Sequence, residues 1–238
     1  MSPKAKSVFI LGSRLDEVGW KEIDLFCTEA LSGNTYRYIV TINGEIALKA
    51  EKNMRLQQAI NEADLVIPDT TNIVWAGRKR GLKLDNPTPG ADLIFHFCEI
   101  AQSLDKSIFL LGSKEGVAKK AGERLQKMYP GLMLAGISSA NPDNLQVVEE
   151  IKRLKPDILV VAYGAPKQEI WMQTHRNLPC KLVAGLGGTL DMVSGNLPRA
   201  PRWLRAIHME WLWRLILQPS RIGRIWQSLV VFPLKTLL

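Results

Sequence analysis

The chain has 238 residues, 46% hydrophobic and 23% charged, the balance of a soluble globular protein. Lysines and arginines number 31 against 23 acids, a formal charge of +8, which points to an anionic partner: a nucleic acid, a phosphorylated substrate or an anionic lipid surface. Cys27, Cys98 and Cys180 are far apart and odd in number, which excludes a disulfide framework and a cysteine metal site and fits a reducing compartment.

In chain order, Ser7 to Leu11 reads as a strand, too short for the apolar core of a signal peptide. No run approaches the roughly 20 apolar residues of a membrane-spanning helix, so a cytosolic product is expected. A helix follows from Trp20 to Leu31, then a strand from Tyr36 to Thr41 that delivers Thr41 and Asn43 at its end. Helical spacing runs from Ile46 to Ala63. Leu65, Val66 and Ile67 form a short apolar strand stopped by Pro68, with Asp69 just past the stop. In open α/β sheets ligands bind beyond the carboxyl ends of the strands, so Asp69 is placed either to meet a substrate or to cap the next helix. That helix contains Val74, Trp75 and Ala76 and stops near Gly81.

After a Pro- and Gly-rich loop at 85–90 comes an apolar helix from Ala91 to Ser103. Ser107 to Gly112 is a strand that turns through Ser113 and Gly116 into a helix, and glycines there let a backbone approach a phosphate. Residues 131–138 and 142–154 read as strand and helix. Asp157 to Gly164 is the clearest buried strand, and it delivers Gln168 and Glu169. A final strand from Lys181 runs into Gly185, Gly187, Gly188 and Asp191, with three glycines in four residues. Strand and helix signals thus alternate from Ser7 to Asp191, which predicts an α/β fold with a parallel, helix-covered, Rossmann-like sheet.

Composition changes after Asn196, so the chain divides into a core at 1–196 and an appendage at 197–238. The appendage carries Arg199, Arg202, Arg205, Arg214, Arg221, Arg224 and Lys235 against the single acid Glu210, and four of the seven tryptophans. Pro219 breaks it into two helices, with Ser220 placed to cap the second. Basic helices with tryptophan and leucine on their other face suit a lipid interface. His96, His175 and His208 form no cluster with the cysteines, no Asp-x-Asp pair stands ready for a divalent metal, and no G-x-S-x-G elbow is present. Without a G-x-G-x-x-G at the first strand a dinucleotide dehydrogenase is disfavoured. A non-catalytic nucleotide or nucleic-acid binder has the basic charge in its favour, but the aromatics are not interleaved with cations over a sheet face.

Pro68-Asp69, Gly164-Ala165-Pro166-Lys167-Gln168-Glu169, the run Gly185 to Asp191, Arg199-Ala200-Pro201, the run Glu210 to Leu215, Pro219-Ser220-Arg221 and Arg224 together resemble the WecG/TagA/CpsF glycosyltransferases, over about Thr41 to Arg224. The resemblance implies transfer of a hexose-type sugar (N-acetylmannosamine, its uronic acid or glucose) from a UDP-sugar to a polyprenyl-diphosphate-linked saccharide. It implies inversion at the anomeric carbon, no metal or cofactor, and a peripheral position on the inner face of the cytoplasmic membrane in cell-surface polysaccharide synthesis. It casts Asp69 as the base, with Thr41, Asn43 and Gln168 lining the same pocket. Arg214, Arg221 and Arg224 match tail arginines that serve the donor diphosphate, the acceptor diphosphate, or both. Position assigns Gly112, Ser113, Gly116, Glu169, Gly187 and Gly188 to substrate binding, with Asp191 a ribose or base partner. Nucleic acid is not an expected partner, and a homo-oligomer stays open. Thr70, Thr71 and Asn72 stand where the family often has glycines, so side chains there are expected to narrow the pocket or add hydrogen bonds.

Overall fold

The computed structural model describes residues 5–201, 203–204 and 209–237. Arg202, Arg205 and His208 of the expectations above lie outside them. Six strands form one parallel sheet: β3 (Arg37–Ile42), β4 (Leu65–Pro68), β5 (Ser107–Gly112), β6 (Met133–Ser138), β7 (Ile158–Ala162) and β8 (Leu182–Gly185), in the order β4-β3-β8-β7-β5-β6. Alternation along β3 sends Tyr38, Val40 and Ile42 into one apolar layer and Ile39 into the other. Helices α1 (Trp20–Ser32), α5 (Gly90–Ser103), α6 (Val117–Met128) and α9 (Thr189–Val193) cover the Ile39 face. Helices α2 (Gly44–Glu51), α3 (Met54–Asn61), α4 (Thr71–Lys79), α7 (Leu145–Leu154) and α8 (Lys167–Thr174) contribute to the opposite layer.

Three local expectations change. The first strand, β1 (Ser7–Ile10), pairs antiparallel with β2 (Ser13–Asp16) in a separate hairpin rather than entering the sheet. Asp16 Oδ2 ties that hairpin to β4 by accepting the Val66 N–H at 2.8 Å. The long helix read from Ile46 to Ala63 is two helices, because Asn53 takes an extended backbone and its side chain accepts the Leu56 N–H, capping α3. In the appendage the break falls at Pro219, as expected, but Pro219–Arg221 is a 3₁₀ turn and Ser220 makes no side-chain cap bond.

After the helix Glu210–Leu217 and this turn, helical backbone continues through Ile222–Trp226, Gln227–Val231 and Phe232–Leu237. Phe232 is fully buried and joins the apolar layer of Ile46, Ala47 and Ile73. Its seat depends on Gly44: a Cβ there would stand 2.8 Å from Phe232 Cγ and 2.7 Å from Asn72 Nδ2. Asn72 donates to the Ser228 carbonyl at 2.6 Å and to its hydroxyl at 2.8 Å. One of the three residues expected to narrow the pocket or add hydrogen bonds therefore adds two, which fasten the terminal helix to α4. No helix among the described residues is long and apolar enough to cross a membrane.

Candidate active site

The carboxyl ends of β4, β3, β8, β7 and β5 open into a cavity of about 1060 Å³, walled on its far side by the appendage. Asp69 lines it. The Asp69 N–H donates to the Ile42 carbonyl at 2.8 Å, which carries the β3–β4 pairing one residue past Pro68. Its Oδ1 accepts the N–H of Gly90, the first residue of α5, at 2.9 Å, and its Oδ2 accepts from Asn43 Nδ2 at 3.2 Å. Asn43 holds its own place by capping α2, with Oδ1 accepting the Ile46 N–H at 3.0 Å. Asp69 does not cap α4, whose N-cap position is Thr70. Thr70 instead donates its hydroxyl to Asn72 Oδ1. Burial pushes the Asp69 carboxyl above its ordinary range, against the opposing pull of the Gly90 N–H, the Asn43 amide and the Arg214 charge. A carboxylate held this way is a stronger base than a solvated one.

Gln168 and Thr41 are nearly buried and both already have partners. Thr41 donates its hydroxyl to the Gly185 carbonyl at 3.2 Å, joining β3 to β8. Gln168 Oε1 accepts the N–H groups of Gly164 and Gly187, each at 3.0 Å, so one amide ties together the two loops after β7 and β8. Its Nε2 donates to Glu169 Oε1 at 2.9 Å. Glu169 is fully buried beneath the cavity rather than on its lining, and Oε2 has no hydrogen-bond partner among the described residues. Burial raises its carboxyl to about 7.

Of the β5 turn, Ser113 and Lys114 reach the cavity, whereas Gly112 and Gly116 do not. At Gly112 (φ +98°) a Cβ would stand 2.9 Å from Tyr163 Cδ1 and 3.0 Å from the Ala162 carbonyl, so the neighbouring strand adds to its glycine requirement. Gly116 (φ +73°) starts α6. Gly187, Gly188 and Asp191 line the cavity as a group. Ser113 and Tyr163 line the same end, and their hydroxyls are shielded and without a hydrogen-bond partner among the described residues.

From the appendage, Arg214, Arg221 and Arg224 all reach this cavity. Arg214 lies against Gly188 and contacts Met192 Sδ at 3.1 Å. Arg221 donates to Gln218 Oε1 at 3.0 Å. Neither has a carboxylate within ion-pair distance among the described residues. Burial lowers the pKa of both, and for Arg221 the neighbouring Arg224 and Arg214 charges lower it further. Cations crowded together at a cavity wall form a site for a multiply charged anion. A base among strand-end loops, glycine turns and a guanidinium cluster suits group transfer with an anionic leaving group.

The model of the glycosyl transferase WecG/TagA/CpsF family matches residues 8–238. The chain belongs to that family. It is 33% identical over 208 residues to an N-acetylglucosaminyldiphosphoundecaprenol N-acetyl-beta-D-mannosaminyltransferase of Bacillus spizizenii, covering 87% of this chain and 79% of that one. The equivalently named enzyme of Bacillus subtilis is 34% identical over 197 residues, 82% and 75% of the two chains. That of Staphylococcus aureus is 34% identical over 200 residues, 83% and 78%. As a member of the WecG/TagA/CpsF family the chain is a glycosyltransferase.

In this glycosyltransferase the structure brings Asp69, Asn43, Thr41, Gln168, Ser113, Gly187, Gly188, Asp191 and the three arginines to one cavity; Gly112, Gly116 and Glu169 are not on its lining. The sequence reading passed over Tyr163, Lys114, Asn141 and Glu45 on the same lining. Tyr163 reads from the sequence as part of the strand Asp157 to Gly164, whereas the strand ends at Ala162 and leaves Tyr163 at its carboxyl end, where the rule that selected Asp69 applies to it equally. Glu45 carried no local signal, because its partner Arg224 is 179 residues away.

Proposed function

We propose that this glycosyltransferase moves a hexose-type sugar, N-acetylmannosamine first among the candidates, from a UDP-sugar to a polyprenyl-diphosphate-linked saccharide at the cytoplasmic membrane face. The observation that carries this reading is the shared cavity of Asp69 with Arg214 and Arg221, neither of which has a carboxylate within ion-pair distance among the described residues. The acceptor hydroxyl oxygen attacks the anomeric carbon as the bond from that carbon to the β-phosphate oxygen breaks. Asp69 takes the hydroxyl proton, and UDP leaves with the bonding electrons on its terminal phosphate. Attack opposite the leaving group inverts the anomeric centre. Arg214 and Arg221 stabilise the charge that grows on the departing diphosphate, the role a metal fills elsewhere. Ser113, Lys114 and Tyr163 on the lining support a polar subsite for the nucleoside at the β5–β7 end. The name of the relatives supports N-acetylmannosamine as the sugar and a diphosphoundecaprenol-linked acceptor.

Membrane attachment is part of the proposal. Trp203, Ile216, Ile222, Trp226, Leu234 and Leu237 of the appendage are each more than half exposed, beside a strong excess of positive charge, as an interfacial segment requires. The test is a panel of UDP-sugars incubated with a short-chain lipid-diphosphate N-acetylglucosamine, with and without EDTA, read by mass spectrometry. UDP-N-acetylmannosamine is expected to give a product heavier by one N-acetylhexosaminyl unit in both conditions. No product from any UDP-sugar, with salt-sensitive RNA binding and no UDP affinity, would overturn the reading in favour of a nucleic-acid binder.

A further inference from the structure

The three tail arginines are not equivalent. Arg224 Nε sits 2.8 Å and 2.9 Å from the two carboxylate oxygens of Glu45, a residue only 8% exposed in the first turn of α2. Lys49, one turn further along α2, reaches the same carboxylate at 2.7 Å and the Ala165 carbonyl at 3.5 Å. The arrangement thus links the appendage to α2 and on to the loop that begins α8. Glu45 is held below the ordinary carboxylate range: burial raises it, but the hydrogen bonds and charges of Arg224 and Lys49 outweigh burial. It is therefore ionised at neutral pH. Arg214 and Arg221 have no carboxylate within ion-pair distance among the described residues; Glu210, Asp69 and Asp191 act on Arg214, and Glu45 and Asp191 on Arg221, only from further off. An arginine in direct contact with a carboxylate attracts a phosphate less than two whose nearest carboxylates stand beyond ion-pair distance.

We infer that Glu45 is a positioning residue that clasps Arg224, docking the appendage so that Arg214 and Arg221, and not Arg224, bind the diphosphate. The inference rests on the proposed diphosphate chemistry of this cavity and divides the arginines by role. Arg224 and Glu45 are one mechanical unit. Arg214 and Arg221 are the anion site that this unit holds in place. Phe232 and Asn72 fasten the terminal helix further along, so the clasp fixes the stretch nearest the cavity instead of the whole segment.

A double-mutant cycle with Glu45→Gln and Arg224→Gln tests this, because residues that work as a pair give non-additive losses. Three quantities are read on the full chain: UDP affinity by calorimetry, transfer kinetics, and hydrogen exchange of backbone amides in 210–231 relative to the sheet strands. Each single substitution is expected to weaken UDP binding and transfer by the same factor, about tenfold, as the loss of one charge-assisted hydrogen bond implies. The double variant should lose no more than that factor. Exchange should accelerate in 210–231 in all three variants, with the strands unchanged. Arg221→Gln, in contrast, should weaken UDP binding without accelerating exchange. The clasp is overturned if Arg224→Gln weakens UDP binding well beyond Glu45→Gln, if the two losses multiply in the double variant, or if exchange in 210–231 is unaffected. Exchange is measured without substrate, so a wild-type chain that transferred no sugar would count against the proposed function, while the exchange data would still decide the clasp.

Discussion

Glu169→Gln should make the protein more stable at pH 8 while leaving it nearly unchanged at pH 4.5. Glu169 is fully buried, its Oε1 accepts from Gln168, and its Oε2 has no hydrogen-bond partner among the described residues. Burial raises its carboxyl from 4.5 to about 7. Between those values the folded chain holds a proton that the unfolded chain has released. The stability this group contributes is therefore complete at low pH, falls as pH rises from 4.5 to about 7, and is flat above. At about 1.4 kcal/mol per pH unit, the interval amounts to about 3 kcal/mol. A glutamine keeps the acceptor for Gln168 Nε2 and carries no charge, so it escapes this loss. Urea denaturation of both proteins from pH 4.5 to 8 isolates the effect, because other titrating groups cancel in the difference. The variant should gain up to about 3 kcal/mol over wild type across that range. A stability difference that does not change with pH refutes the reasoning.

Phe232→Ala removes a fully buried ring, a change of about 3–5 kcal/mol in ordinary cores. It should release the terminal helix, seen as faster hydrogen exchange in 222–237 and lower transfer activity, and Gly44→Ala should mimic it by crowding the same ring. Ile222→Ala with Trp226→Ala removes two exposed apolar side chains of the appendage and should weaken sedimentation with phosphatidylglycerol vesicles at least about tenfold, since each buried side chain is worth about 2 kcal/mol. Unchanged vesicle binding would remove these residues from the membrane contact. Because Asp69 must be ionised to accept a proton and burial raises its pKa, transfer should rise with pH along an acid limb lying above the ordinary aspartate range, then level off. A pH-rate profile of kcat/KM checks the position of that limb.

Much of the sheet was legible because buried parallel strands are short apolar runs bounded by turn residues, as in Ile158 to Ala162. The β1–β2 hairpin was not, because Ser13–Asp16 is short and polar in three of its four residues, and its partner is local rather than in the sheet. The break between α2 and α3 was hidden by apolar spacing that runs on through Met54, a side chain that is in fact 86% exposed; the deciding feature was the Asn53 cap. At the site, Asp69 and Asn43 could be found because strand ends meet at the mouth of such a sheet. The glycines of the β5 turn show the limit of that rule: Gly112 answers to its neighbour strand, and a sequence does not show which side of a turn faces the cavity. The Glu45–Arg224 pair and the Asn72–Ser228 contact join residues more than 150 positions apart and follow only from how the appendage folds back.

The central claim is that Asp69 accepts the proton of the incoming hydroxyl, and Asp69→Asn in single-turnover transfer tests it most directly. The asparagine keeps an oxygen for the Gly90 N–H and almost the same volume but loses the bond from Asn43, so a small drop in the thermal midpoint is expected while the chain stays folded and binds UDP. Under those conditions transfer is expected to fall at least about 100-fold, the loss typical of removing a general base. Transfer within a few-fold of wild type by a folded, UDP-binding Asp69→Asn chain would contradict the account.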